Sequence, residues 1–304
     1  IRDSYMDYQA NFFKQCGQSR FSMLADNVKQ PFNEYLGLLL NFGIIGLLVL
    51  LLLMVIIIYC YRKNPSVEKQ IAFYSLSSIG IFSFFSYPFA YPFVWVVTFL
   101  SIFIITSEYI KPLFSNILIK KIACMFILTY SLFGSSKLFE RIQAELDWGK
   151  ASTLALCKSY NETLPTYERL EKMFVSNPYF LYNYAAVLQE MKQYTESLEV
   201  ALKCRQYWAD YDLELIIGEN YQQLNKPELA EKYYNSASMM CPSRFLPLYK
   251  LFHLYKTNGE KERSLAMAEA VISKPMKIKT TTIRMMKREM EREIQKMNMS
   301  IKLE

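Results

Sequence analysis

Residues 213–242 read LELIIGENYQQLNKPELAEKYYNSASMMCP, and their spacing decides how the polar half of the chain folds. Tyr, Leu and Ala recur there at three- and four-residue intervals, the period of packed helices. Gly218, Tyr221, Ala230, Tyr234, Ala237 and Pro242 stand at positions 8, 11, 20, 24, 27 and 32 of a unit with a period near 34. The same positions recur on both sides. NYAAVLQEMKQYTESLEVALKC (183–204) matches at Ala185, Leu188, Ser197, Ala201 and Cys204, and LFHLYKTNGEKERSLAMAEAV (251–271) at Phe252, Tyr255, Ser264, Ala268 and Val271. Ser197, Ala230 and Ser264 are therefore 33 and 34 residues apart.

This pattern closely resembles a tetratricopeptide repeat. Its small residues let helices A and B of one unit approach, and its aromatics fill the gap to the next. A degenerate earlier unit is expected from about 149 to Pro178, giving three to four units that share a stacked core. The repeat half spans 137–275, and 276–304 forms a C-terminal tail. There KIKTTTIRMMKREMEREIQKMN reads as a charged capping helix, with binding of lipid headgroups or a partner as the alternative. Arrays of this kind hold a protein or peptide in their groove, so partner binding is the expected role. The one histidine, His253, reads as a packing residue between Phe252 and Leu254.

Upstream the composition changes. Residues 35–134 carry only eight charged side chains in one hundred positions: Arg62, Lys63, Glu68, Lys69, Glu108, Lys111, Lys120 and Lys121. A soluble domain needs about a quarter charged residues, so this stretch is not one. The segment 35–61, YLGLLLNFGIIGLLVLLLLMVIIIYCY, reaches about 39 Å as a helix and crosses a bilayer core about 30 Å thick. Gly43 and Gly46 lie near one face, where close approach of a neighbouring helix is expected. The next uncharged run breaks at SYPFAYP, where Pro88 and Pro92 favour a turn, leaving spans at 71–87 and 91–107 or a re-entrant pair. A fourth span falls at 117–136, with Lys120 and Lys121 snorkelling at its end.

The expected fold class is therefore all-α: a polytopic transmembrane bundle of about four spans, then a tetratricopeptide-like α-solenoid. Basic residues occupy the first connection (Arg62, Lys63, Lys69) and the third (Lys111, Lys120, Lys121), which places both in the cytoplasm. Loop 1–34 and the repeat half then face outward, the periplasm in a bacterial inner membrane. If 117–136 does not cross, the repeat half is cytoplasmic.

The 304 residues are 52% hydrophobic with net charge +7 and a mean hydropathy of +0.05, averages over unlike parts. Loop 1–34 is neutral, the membrane stretch is +4 and the rest +3. The positive charge is mainly a topology signal and points to no nucleic acid partner. Cys16, Cys60, Cys124, Cys157, Cys204 and Cys241 are scattered without CxxC spacing, which argues against a disulfide framework or zinc site and for buried thiols. The chain begins at Ile1 with no signal-peptide layout, and is expected to be the C-terminal part of something longer.

The junction LADNVKQPFNEYLGLLLNFGIIGLL (23–47) gathers Asp26, Asn27, Lys29, Gln30, Asn33 and Glu34 beside the first span, with Arg20 and Arg2 upstream. On physical grounds it is an interfacial cap: Asn33 caps the helix, Glu34 favours its positive end and Tyr35 anchors the interface. It also resembles the segment after the large periplasmic loop of O-antigen ligase-like membrane glycosyltransferases, where Asn-x-x-Leu precedes an apolar helix with a Gly-x-x-Gly step. The matching residues are Asn33, Leu36, Gly43 and Gly46. Members with C-terminal tetratricopeptide repeats exist, so the order of the two halves also agrees, and the chain would cover the last third to half of such an enzyme.

The resemblance implies transfer of a glycan from an undecaprenyl diphosphate carrier to lipid A core or another lipid acceptor, without metal or cofactor. It implies Arg20, Arg2, Asn33 and Glu34 as catalytic candidates and Lys29, Gln30 and Asp26 as substrate-binding ones. Arginine forks suit a diphosphate leaving group, and a base must take the acceptor proton. Family members often carry histidine directly before the Asn or a few residues upstream, where this chain has Phe32 and Gln30. The base then comes from a segment upstream of Ile1 or from Asp26 or Glu34, or the chain is a divergent or inactive member. The reading from a different class is a non-enzymatic, membrane-anchored repeat scaffold for envelope assembly.

Overall fold

The computed structural model describes residues 4–17, 19–27, 31–110 and 117–301. They are all-helical, 80% helix with no strand among the described residues. Two compact units emerge. One comprises 28–141; the other comprises 3–27 together with 142–304.

The first unit contains α2 (Glu34–Lys63), α3 (Val67–Phe82), a 3₁₀ turn (Pro88–Ala90), α4 (Pro92–Ile110) and the start of α5 (Ile117–Leu156). The break expected at SYPFAYP is present, and Pro88 and Pro92 each open a helical segment where a missing N–H costs nothing. Cys60 on α2, Ala72 on α3 and Ile105 on α4 form a small core at one end. Tyr61 stacks on Phe73 there at 4.5 Å. Buried Lys69 at that end pairs with Glu108 at 3.2 Å and donates to the Asn64 carbonyl. At the other end the first turn of α2 meets the turn after α3. Among the described residues, two helices are long and apolar enough to cross a bilayer, Glu34–Lys63 and Pro92–Tyr109. At 16 residues α3 is about 24 Å long, shorter than a bilayer core.

The second unit stacks helical hairpins. The end of α5 pairs with α6 (Tyr160–Leu170), α7 (Pro178–Glu190) with α8 (Tyr194–Tyr207), α9 (Tyr211–Gln223) with α10 (Pro227–Met240), and α11 (Leu246–Thr257) with α12 (Lys261–Ser273). Position 20 of each unit is Thr163, Ser197, Ala230 or Ser264, and all four are fully buried. The degenerate first unit is thus built like the others, with Ala151 and Tyr167 buried at its positions 8 and 24.

The hairpin turns repeat as strictly as the core. Lys158, Lys192, Asn225 and Gly259 occupy the left-handed region, with φ of 64°, 61°, 54° and 78°. The residue after each donates its N–H to the carbonyl five positions back: Ser159 to Leu154, Gln193 to Leu188, Lys226 to Tyr221 and Glu260 to Tyr255. This is a Schellman cap at every helix A terminus. Helix α13 (Thr281–Ile301) lays Met290 against Phe245, Phe252, Ala268 and Val271 at the end of the stack.

The segment 3–27, expected to be part of an outer loop, holds α1 (Tyr5–Cys16) and belongs to this second unit. Met6 and Ala10 pack with Tyr211, Met240 and Cys241. Cys60, Cys204 and Cys241 are buried as expected, and burial pushes the thiols of Cys204 and Cys241 up to about 12. Cys16, Cys124 and Cys157 are instead exposed.

Candidate functional site

The start of α2 is held by its own capping residues. Asn33 has extended backbone angles, and its Oδ1 accepts from Leu36 N at 2.8 Å, the N-cap arrangement. Its Nδ2 donates to Phe84 O at 3.1 Å, so one amide satisfies the helix and pins the turn after α3. Glu34 N donates to Ser83 O at 2.9 Å, and the Glu34 carboxylate accepts from Phe89 N at 3.1 Å. Tyr35 Oη donates to Gly80 O at 2.8 Å and its ring lies 4.4 Å from that of Phe84. Three successive residues therefore fasten α2 to residues 80–89.

Eight residues on, α2 breaks. Gly43 adopts φ 64° and ψ −163°, a backbone region essentially restricted to glycine. Among the described residues nothing lies within 4 Å of where its Cβ would be, so none of them makes the close approach expected here. Gly46 has a different cause: a Cβ there would sit 2.5 Å from Phe42 Cβ, which the break folds back onto the next turn. Among the described residues the Gly-x-x-Gly step thus permits a broken helix rather than a helix contact. Asn41 Nδ2, just before the break, donates to Gly37 O at 2.8 Å.

Arg20 and Asp26 lie in the other unit. Arg20 is exposed, its guanidinium 4.8 Å from the Phe21 ring centre. Asp26 pairs with Arg244 at 2.8 Å and Lys277 at 3.4 Å. Burial pushes its carboxyl up, but hydrogen bonds from Arg244 and the Asn27 amide and the charges of Arg244 and Lys277 hold it below the usual carboxylate range. That makes Asp26 a poor proton acceptor and a good structural anchor. Arg2, Lys29 and Gln30 lie outside the described residues. Asn33 and Glu34 are thus together at one junction, with Arg20 and Asp26 in the separate unit.

Spacing gave no hint of the ion cluster that seats α1. Arg205 donates both terminal nitrogens to Asp7 and its Nε to Glu214, whose side chain is 2% exposed. Burial raises the Glu214 carboxyl above its ordinary value despite the arginine. Gln9 donates to Met240 O, and Asn27 Nδ2 to Asp210 at 2.6 Å. Asp7 and Arg205 are 198 residues apart, beyond any sequence pattern. His253 packs edge-on to Tyr249 and Phe252, with Nε2 3.5 Å from Glu289, and burial lowers its pKa.

No protein-family model matches the chain, and no curated protein matches it. Among solved structures, the crystal structure of MamA protein is similar at 13% identity and a TM-score of 0.41, over 51% of this chain and 89% of that one.

Proposed function

We propose that the chain is the C-terminal part of an O-antigen ligase-like glycosyltransferase of the bacterial inner membrane. It moves a glycan from an undecaprenyl diphosphate carrier to lipid A core or another acceptor, and its helical repeats form a periplasmic partner-binding domain. The observation that carries this reading is the start of α2. Three of the four positions of the resemblance have work specific to their residue: Asn33 caps the Leu36 N–H, Gly43 breaks the helix and Gly46 clears Phe42.

Four spans fit the same reading. Segments 3–27 and 142–304 belong to one compact unit, which is compatible with an even number of crossings between them. Helices α2 and α4 are long and apolar enough to cross, and this reading takes α3 with the turn after it and the start of α5 as the other two crossings. The basic residues Arg62, Lys63 and Lys69 lie at the end opposite Asn33, which favours a periplasmic Asn33.

In the reaction, the acceptor hydroxyl oxygen bonds to the anomeric carbon, the bond from that carbon to the diphosphate oxygen breaks, and undecaprenyl diphosphate leaves with the electron pair. Its charge suits arginine, for which Arg20 and Arg2 are the candidates here. The hydroxyl proton goes to a base: the Glu34 carboxylate in this chain, or a group upstream of Ile1. Lys29 and Gln30 would contact the carrier.

A membrane-anchored scaffold is the second reading, favoured by the fact that Asn33, Glu34 and Asp26 all engage partners within the protein. The full-length protein, reconstituted with undecaprenyl diphosphate-linked glycan and lipid A core, separates the two. Transfer is expected to release undecaprenyl diphosphate in step with glycosylated acceptor and to be lost in Arg20→Ala at unchanged protein level. No turnover by the intact protein supports the scaffold.

A further inference from the structure

From α6 to α12 every arginine holds a carboxylate. Arg169 pairs with Asp147, Arg205 with Asp7 and Glu214, Arg244 with Asp26, and Arg263 with Glu231 and Glu260. The arginines of α13 differ. Arg284, Arg288 and Arg292 are exposed, and among the described residues none of them has a carboxylate partner. The helix's own acids are turned elsewhere: Glu289 accepts from Tyr249 Oη at 2.9 Å, and Glu293 pairs with Lys256 and Lys296. Glu291, exposed at the edge of the arginine face, pairs with none of the three.

A spacing of four puts these arginines in one stripe, with about 6 Å of rise between neighbours. The opposite side of α13 carries Ile283, Met286, Met290, Ile294 and Met297, which pack on the last repeat. That packing decides between anionic partners. A helix lying on a membrane inserts its apolar face among the lipids, and the apolar face of α13 is already spent on the repeat. A guanidinium fork matches a carboxylate with two parallel hydrogen bonds, and a helix bearing Glu or Asp at every fourth residue presents carboxylates at the same pitch. Met285, next to Arg284 and one turn from Arg288, is 64% exposed and offers such a helix an apolar contact.

We infer that Arg284, Arg288 and Arg292 form a docking stripe for an acidic helix of a partner protein, whose carboxylates stand four residues apart and whose apolar side chain covers Met285. This interaction is independent of glycan transfer.

The test is fluorescence anisotropy with the full chain in uncharged detergent. The probe is a fluorescein-labelled, lactam-stapled, alanine-based helix with Glu at three positions four residues apart and one Leu beside them. Its control is an isomer of the same composition with the three Glu on different faces. At low salt the matched helix is expected to bind about five-fold more tightly than the isomer. Arg284→Gln, Arg288→Gln and Arg292→Gln together should abolish that preference at an unchanged melting temperature, and lysine at the same three positions should restore part of it. Equal binding of the two isomers, or a preference that survives the triple Gln variant, overturns the docking. Displacement of the matched helix by an equal concentration of short-chain phosphatidylglycerol, but not of phosphatidylcholine, assigns the stripe to lipid headgroups and overturns it as well.

Discussion

A Cβ on Gly218 would lie 2.6 Å from Cε1 of Tyr234, so position 8 of this repeat is empty because position 24 is full. The neighbouring units divide the same space differently: Ala185 faces Ala201, and Phe252 faces Ala268, all of them buried. Gly218→Ala gains up to about 1 kcal/mol of helix propensity but forces a fully buried ring to move, which costs about 1–3 kcal/mol. Net destabilisation is expected, read as a lowered melting temperature. Tyr234→Leu should cost less in the Gly218→Ala background than alone, since both act on one space. Additive effects in that double-mutant cycle would show the two positions to be independent.

Lys192 occupies the same left-handed turn position as Gly259, two repeats away. A side chain there costs roughly 1 kcal/mol that glycine avoids. Lys192→Gly is expected to raise the denaturation midpoint, and Gly259→Lys to lower it. Equal midpoints for Lys192→Gly and the parent would mean that the turn is strain-free.

These turns also show where sequence reading stopped. The period of 33 and 34 was legible because small residues recur at position 20, buried between helices A and B. The turn position recurs just as regularly, but as Lys, Lys, Asn and Gly it has no residue signature, since the cap is made by backbone hydrogen bonds. The capping role of Asn33 was legible for the opposite reason, because its side chain makes the bond within one turn. What could not be read was the seating of α1, since the Asp7–Arg205–Glu214 cluster joins residues far apart in the chain. The glycine step at 43 and 46 was seen, but spacing alone does not distinguish a helix contact from a broken helix.

Gly43→Ala tests the break directly. Its φ and ψ exclude a Cβ at a cost of about 1–3 kcal/mol, so the variant should either straighten α2 or lose stability. The expected readouts are a lower melting temperature in detergent and a changed distance between spin labels at positions 39 and 48. A variant with parental stability and an unchanged distance would show that the break needs no glycine.

Lys274 carries a pH signature. Burial lowers its ammonium from 10.5 to about 8, although Nζ donates to Arg244 O at 2.8 Å. Between pH 8 and 10.5 the unfolded chain holds the proton more tightly, so stability contributed by this group rises with pH across that window. Below pH 8 the full penalty applies, about 1–2 kcal/mol after allowance for solvent screening. Lys274→Met is therefore expected to melt higher than the parent at pH 7, with the gap closing towards pH 10. A gap that stays constant from pH 7 to 10 would trace the gain to packing alone.

Asn33 is the residue at which capping and chemistry can be told apart. Its Oδ1 caps α2 and its Nδ2 holds Phe84 O, so Asn33→Ala loses both bonds and should cost about 1–2 kcal/mol. Asn33→Asp keeps the acceptor for Leu36 N and loses only the donor. If Asn33 acts by fixing the junction, stability and glycan transfer should fall in the same order, with Asp closer to the parent than Ala. If its amide touches the substrate, Asp should be as inactive as Ala while melting nearer the parent. Transfer rate and melting temperature measured on the same three proteins decide between these outcomes, because only a chemical role separates the two orders.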